Sequence, residues 1–143
     1  MMPAVPTFLD SGVLMAAFQG NSEAHALARQ IIDDPQREFL LSDLVRLEVL
    51  PKAVYHNRTD EVYFYEAVFE SALTVASTDP KSVDRALALA KQYGLGAVDA
   101  CLAEAAITLN AHEFVTTERP SKAYFRLNGT TSTRFISIAE LAP

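Results

Sequence analysis

The chain has 143 residues and a formal charge of -6; half of it is apolar and 21% is charged. This size and balance fit one globular domain spanning residues 1–143, able to bury roughly two thirds of its unfolded surface, and they exclude a disordered or fibrous chain. The acidic balance also excludes a protein that grips nucleic acid through bulk positive charge, because such binders carry a basic face for phosphates.

The apolar run Val5–Leu9 is short and β-capable, and it stops at Asp10, after which SGVLMAAF reads as a helix opening. A second helix is expected over residues 22–34, closed by Asp33, Asp34 and Pro35, and a second strand over Glu38–Leu41. From Ser42, a natural N-cap, the pattern is helical to about Tyr55, with Pro51 expected to kink the helix or end its regular part. Residues 60–72 read as a helix and Leu73–Ala76 as a third strand. Asp79 and Pro80 open a helix over 81–93, and Gly94 and Gly96 separate it from the next, 97–110. Phe114–Thr116 is the fourth strand and Arg134–Ile138 a weaker fifth. Short apolar strands alternating with helices indicate βαβ units, hence an α/β fold with a mostly parallel sheet covered on both faces. Ligands of such sheets bind beyond the carboxyl ends of the strands.

The lone Cys101 excludes a disulfide within the chain and a thiolate zinc site. The opening MMPAVPTFLD has no basic region, and no stretch approaches the ~18 apolar residues of a membrane span. The expected location is the cytoplasm, away from any membrane.

Three acids fall where strands end or helices begin, and a fourth, Glu48, falls inside a helix. Asp10 follows the first strand and reads equally as a helix cap or as a ligand, with the Ser11 hydroxyl beside it. Glu48 falls on the side of Leu44 and near Leu47, the stripe expected to face the core, where an ionised carboxylate needs a cation or a metal. Asp99 occupies the first turn of its helix, a favourable position for any acid, yet Ala103 and Ala106 along its face allow close packing on the sheet. Glu104, well round the helix from Asp99, is expected to face solvent and is left out of the site. Glu118 follows the fourth strand, beside Thr116 and Thr117, and reads either as an exposed loop acid or as a fourth ligand. Carboxylates gathered at one sheet edge repel one another unless a hard cation neutralises them, and oxygen donors suit Mg2+ or Mn2+. Such an ion would also offset the repulsion between an acidic protein and RNA.

The segments FLDSGVLMAAF, LSDLVRLEVL and GAVDACLAEAA, followed by FVTTERPSKAYF, resemble those of the PIN-domain family, in particular its VapC-like toxins. The resemblance runs over nearly the whole chain. It implies a three-layer α/β/α fold with four or five mostly parallel strands, and a Mg2+- or Mn2+-dependent endoribonuclease leaving 5'-phosphate and 3'-hydroxyl ends. Asp10, Glu48 and Asp99 match the family's regular acidic positions, and Ser11 matches the hydroxyl that commonly follows the first. The fourth acid is usually Asp in a T-x-D arrangement, whereas this chain has Thr116, Thr117 and the longer Glu118. By the same resemblance the partners are RNA, a cognate antitoxin and a second copy of the chain in a homodimer.

Arg119, Lys122 and Arg126, with Tyr124 and Phe125 between them, read either as phosphate contacts with a stacking aromatic or as a solvated turn over two core aromatics. VYFYEAVF, residues 62–69, carries more large apolar groups than one core stripe requires; most are expected in the core, the rest at a dimer interface or antitoxin groove. His25, His56 and His112 lack ligand spacing. Two other functions compete: a catalytically weak or inactive PIN-like binding module, and a phosphoacceptor receiver domain, whose acceptor Asp ends the third strand where this chain has Ala76 and Ser77.

Overall fold

The computed structural model describes residues 3–20 and 22–141. Strand β1 (Val5–Leu9) runs directly into helix α1 (Ser11–Phe18), because Asp10 keeps extended backbone angles and its carboxylate accepts from the Ser11 amide. Helix α2 (Glu23–Ile32) is capped by Ser22 and leads to β2 (Arg37–Ser42). Ser42 ends that strand and caps α3 (Asp43–Tyr55), its hydroxyl accepting from the Leu44 amide. Then come α4 (Thr59–Ser71), β3 (Thr74–Ala76) and α5 (Pro80–Tyr93), the last opened by a reciprocal Asp79–Ser82 capping box. Helix α6 (Ala97–Thr108), β4 (Glu113–Thr116), a short 3-10 helix (Ala123–Leu127), β5 (Arg134–Ser137) and a second 3-10 turn (Ile138–Leu141) complete the chain.

The order is β3-β2-β1-β4-β5, all parallel, so the expected α/β/α class with five strands is what the chain forms. Right-handed crossovers step outward from β1 to β3, then jump back to β4 and step the other way. They therefore put α1–α4 on one face and α5, α6 and the first 3-10 helix on the other; α1 packs on α2, α3 and α4, and α5 packs on α6 and that 3-10 helix. The direction reverses between β1 and β4, which is the switch point where such sheets bind ligands. A receiver domain has the order 2-1-3-4-5, so this topology removes that reading.

The helix expected from Ser42 to about Tyr55 forms as Asp43–Tyr55, so of the two effects expected of Pro51 the ending of the helix does not occur. Proline removes the donor for the Leu47 carbonyl, so the helix passes through this point with one ladder bond fewer. In the core, Phe8, Phe114 and Phe135 stand side by side across β1, β4 and β5 in direct register, and Tyr124 packs on Phe114 with ring centroids 4.7 Å apart. No helix among the described residues is long and apolar enough to cross a membrane.

Candidate functional site

Side chains on a strand alternate faces, so the residues two beyond the phenylalanine row emerge on the same side of the sheet at its carboxyl edge. These are Asp10, Thr116 and Ser137, the last two paired directly across β4 and β5. Asp10 bridges the switch point: its amide donates to the Val115 carbonyl at 3.0 Å, and its Oδ2 accepts from the Thr116 hydroxyl at 2.7 Å. The carboxylate is buried, and its pKa is raised to about 6. Burial is the largest cause; the bonds from Thr116 and Ser11 oppose it, and the charges of Asp99 and Glu48 add to it. Asp10 is thus both the cap of α1 and the centre of an acidic cluster. The Ser137 hydroxyl is fully buried and has no partner among the described residues.

Glu48 reaches this cluster from the opposite helical layer, and for a different reason than its sequence position suggests. The core face of α3 carries Val45, Val49 and Ala53; Glu48 lies on the exposed side next to Leu47, so the expectation that it occupies the buried stripe is corrected. Its Oε1 accepts from the Ser11 hydroxyl at 2.8 Å, which ties the rim of α3 to the start of α1.

Asp99 stands in the first turn of α6, behind an N-cap, Gly96, that has no side chain to offer. Its Oδ1 accepts from the Tyr124 hydroxyl at 3.0 Å. Tyr124 is 1% exposed, so it is a core aromatic and is removed as an open platform for base stacking. Its phenol is pushed far above the ordinary range, first by burial and then by the charges of Asp10 and Asp99, with the Asp99 hydrogen bond and the charge of Glu48 adding to them. No sequence signal assigned Tyr124 to the acids, because the contact depends on the 3-10 helix folding back over β4 and β5.

Thr117 and Glu118 are exposed, and the Glu118 amide donates to the Thr116 hydroxyl at 3.1 Å, so Thr116 orders the loop as well as Asp10. Gly12, unremarked in the sequence, lies against this loop: a Cβ there would overlap the Thr117 hydroxyl and sit 3.3 Å from both Thr117 carbons. Arg119 and Lys122 are exposed on a turn closed by the bond from the Lys122 amide to the Arg119 carbonyl at 3.0 Å. Arg126 instead donates to the Tyr93 carbonyl at 2.7 Å, holding the end of α5.

Glu104 does not face solvent. It is 5% exposed, paired with Arg85 at 2.9 Å and hydrogen-bonded by the Thr108 hydroxyl. These groups border a cavity of about 200 Å³ between α5, α6 and the end of β3. Its exclusion from the acidic site stands, for the reason that its charge is already matched.

The acids and hydroxyls at the switch point are all hard oxygen donors, the chemistry of Mg2+ or Mn2+ rather than of zinc or copper. Among the described residues no three Asp, Glu, His or Cys side chains converge closely enough to hold one ion between them. The donor set fits a hydrated Mg2+, which keeps several waters and takes one or two carboxylates, and it does not form a closed cage of four.

An α/β/α sandwich with carboxylates at the switch point of a 3-2-1-4-5 parallel sheet is the class of protein defined here. The family model described as PIN domain matches residues 7–123, and the chain belongs to that family. Among solved structures, the chain is similar to a toxin-antitoxin complex from Klebsiella pneumoniae, with a TM-score of 0.67 at 17% identity over 92% of this chain and 97% of that one. It is also similar to the sarcin-ricin-loop-cleaving toxin VapC20 of Mycobacterium tuberculosis, with a TM-score of 0.65 at 14% identity over 90% and 98%. A third is VapBC2 of Rickettsia felis bound to a promoter DNA fragment, with a TM-score of 0.61 at 16% identity over 93% and 98%. The fold is that of a VapC-like PIN domain. No curated protein matches the chain in sequence.

Proposed function

We propose that this PIN domain is a divalent-metal-dependent endoribonuclease that hydrolyses RNA phosphodiester bonds, acting as the toxin of a toxin-antitoxin pair. The observation that carries the reading is Asp10: a buried carboxylate at the switch point, its pKa raised to about 6 chiefly by burial, with the charges of Asp99 and Glu48 adding to it. Natural folds retain clustered acids of this kind where function needs them, since they cost stability when no cation is present. When bound there, Mg2+ or Mn2+ would supply a water of lowered pKa and positive charge against the phosphate. Asp10 and Asp99 would hold the ion, with Glu48 at the rim reaching it only through water; Ser11 and Thr116 would orient the carboxylates, and Asp99 or Glu118 would take the proton of the attacking water. Arg119 and Lys122 hold the RNA backbone.

The apolar surface of α3 and α4 supports a protein partner. Tyr65, Val68 and Phe69 are core residues, but Val54, Tyr55 and Tyr63 are exposed, and a groove between the two helices has Ala53, Val54, Val62 and Tyr63 as its apolar lining, with Asn57, Arg58, Thr59 and Glu66 around them. Contiguous apolar surface of this kind suits a protein partner, and we assign it to an antitoxin segment or to a second copy of the chain.

The test is Mn2+ binding by calorimetry together with RNA cleavage, for the parent protein and Asp10→Asn. The reading expects both activities in the parent and their loss in the variant. Cleavage that persists in Asp10→Asn, or in the presence of excess chelator, overturns it. Binding without cleavage supports instead an inactive binding module, a reading favoured by the absence of three converging carboxylates among the described residues.

A further inference from the structure

We infer that Tyr124 is a positioning residue of this site: its hydroxyl fixes the Asp99 carboxylate by one oxygen, Oδ1, and leaves Oδ2 free for a divalent cation or its bound water. The inference rests on the reading of the cluster as a metal centre.

Asp99 has little else to hold it among the described residues. An acid at the third position of a helix commonly turns back onto the N-cap amide in a capping box, but α6 has no side-chain cap bond and its N-cap is Gly96. Asp99 is half-buried, and a short side chain at the edge of solvent samples several rotamers unless something restrains it. Tyr124 supplies that restraint from the buried aromatic core. Its ring packs on Phe114 and Phe135, with centroids 4.7 and 6.0 Å away, and those rings stand on two adjacent strands of the sheet. The phenol carries a single proton to donate, and it is directed at Asp99 rather than at a backbone carbonyl. Carboxylates that ligate metals are themselves hydrogen-bonded by such outer partners, whose loss typically costs about 10- to 100-fold in metal affinity.

A different view is that Asp99 merely satisfies a buried phenol. Tyr124→Phe separates the two, because it keeps the ring in the aromatic row and deletes only the hydroxyl. Mn2+ affinity is measured by electron paramagnetic resonance on the full chain, with the Tm of the metal-free protein as the check on folding. The expected result is affinity about 10- to 100-fold weaker with a Tm within a few degrees of the parent. Unchanged affinity overturns the inference. A second measurement guards against a general loosening of the fold: in an Asp99→Asn background, Tyr124→Phe should add no further loss, and an additive loss overturns the inference as well. The metal reading fails separately, if Asp10→Asn binds Mn2+ as well as the parent does.

Discussion

Asp10 and Thr116 meet across the gap between β1 and β4, where the threonine hydroxyl donates to the aspartate Oδ2 at 2.7 Å and closes the switch point of the sheet. Thr116 also accepts from the Glu118 amide, so one hydroxyl joins the buried acid of the cluster to the loop that carries Glu118, Arg119 and Lys122.

The raised pKa of Asp10 makes the metal-free protein less stable as pH rises. The folded carboxyl titrates at about 6 against 3.8 for an unperturbed Asp, so between those pH values the native state holds a proton that the unfolded chain has released. The stability that Asp10 contributes is therefore lost as pH rises from about 4 to 6 and does not change above, with a total of about 3 kcal/mol. Urea denaturation without metal, from pH 4 to 7.5, should show this slope in the parent and lose it in Asp10→Asn. Equal slopes in the two proteins would count against the assignment.

Gly12 is tied to Thr117 by lack of room, and the sign of its replacement reveals that. In an open helical position Gly→Ala stabilises by roughly 0.5–1 kcal/mol. Here the new methyl meets the Thr117 hydroxyl and carbons, and overpacking of this kind costs about 1–3 kcal/mol. Gly12→Ala should therefore destabilise the protein, and Thr117→Ala in the same chain should recover most of the loss. Additive effects in this double-mutant cycle would mean the two residues do not press on each other.

Glu104 provides the contrast to the site acids. Its carboxylate is buried but answered by Arg85 and Thr108, so Glu104→Gln should cost about 1–3 kcal/mol of stability. Mn2+ affinity should not change. A variant that keeps full stability but loses metal binding would return Glu104 to the functional site.

The same residue marks where sequence reasoning runs out. The strands and helices were legible because each is a short apolar run or a periodic segment bounded by Ser, Asp, Gly or Pro, and Asp10 was legible because it ends one such run. Glu104 was not, because α6 buries Ala100, Leu102, Ala103, Ala105 and Ala106, so it has no clear solvent side from which to judge an angle. Glu48 was found at the right edge by the wrong argument: Leu44 and Leu47 suggested a core stripe, but Leu47 belongs to an exposed apolar face. Tyr124 between basic residues looked equally like a ligand contact or a core residue, and only the return of the chain over β4 and β5 decides for the core.

Arg119 and Lys122 are exposed cations in the loop that follows Thr116 and Glu118, in a chain whose net charge of -6 otherwise repels RNA. If each neutralises one phosphate, each contributes about 0.7 to the slope of log affinity against log salt for a single strand, so roughly 1.4 is lost when both become Ala. Binding of a single-stranded RNA to Arg119→Ala/Lys122→Ala, measured by fluorescence anisotropy across salt concentrations, should show weaker affinity and that shallower slope. The acidic cluster is untouched by these replacements, so Mn2+ affinity should stay at the parent value. A variant with the parent's slope would show that the RNA backbone lies elsewhere on the protein, and the carboxyl edge of the sheet would then need another source of positive charge.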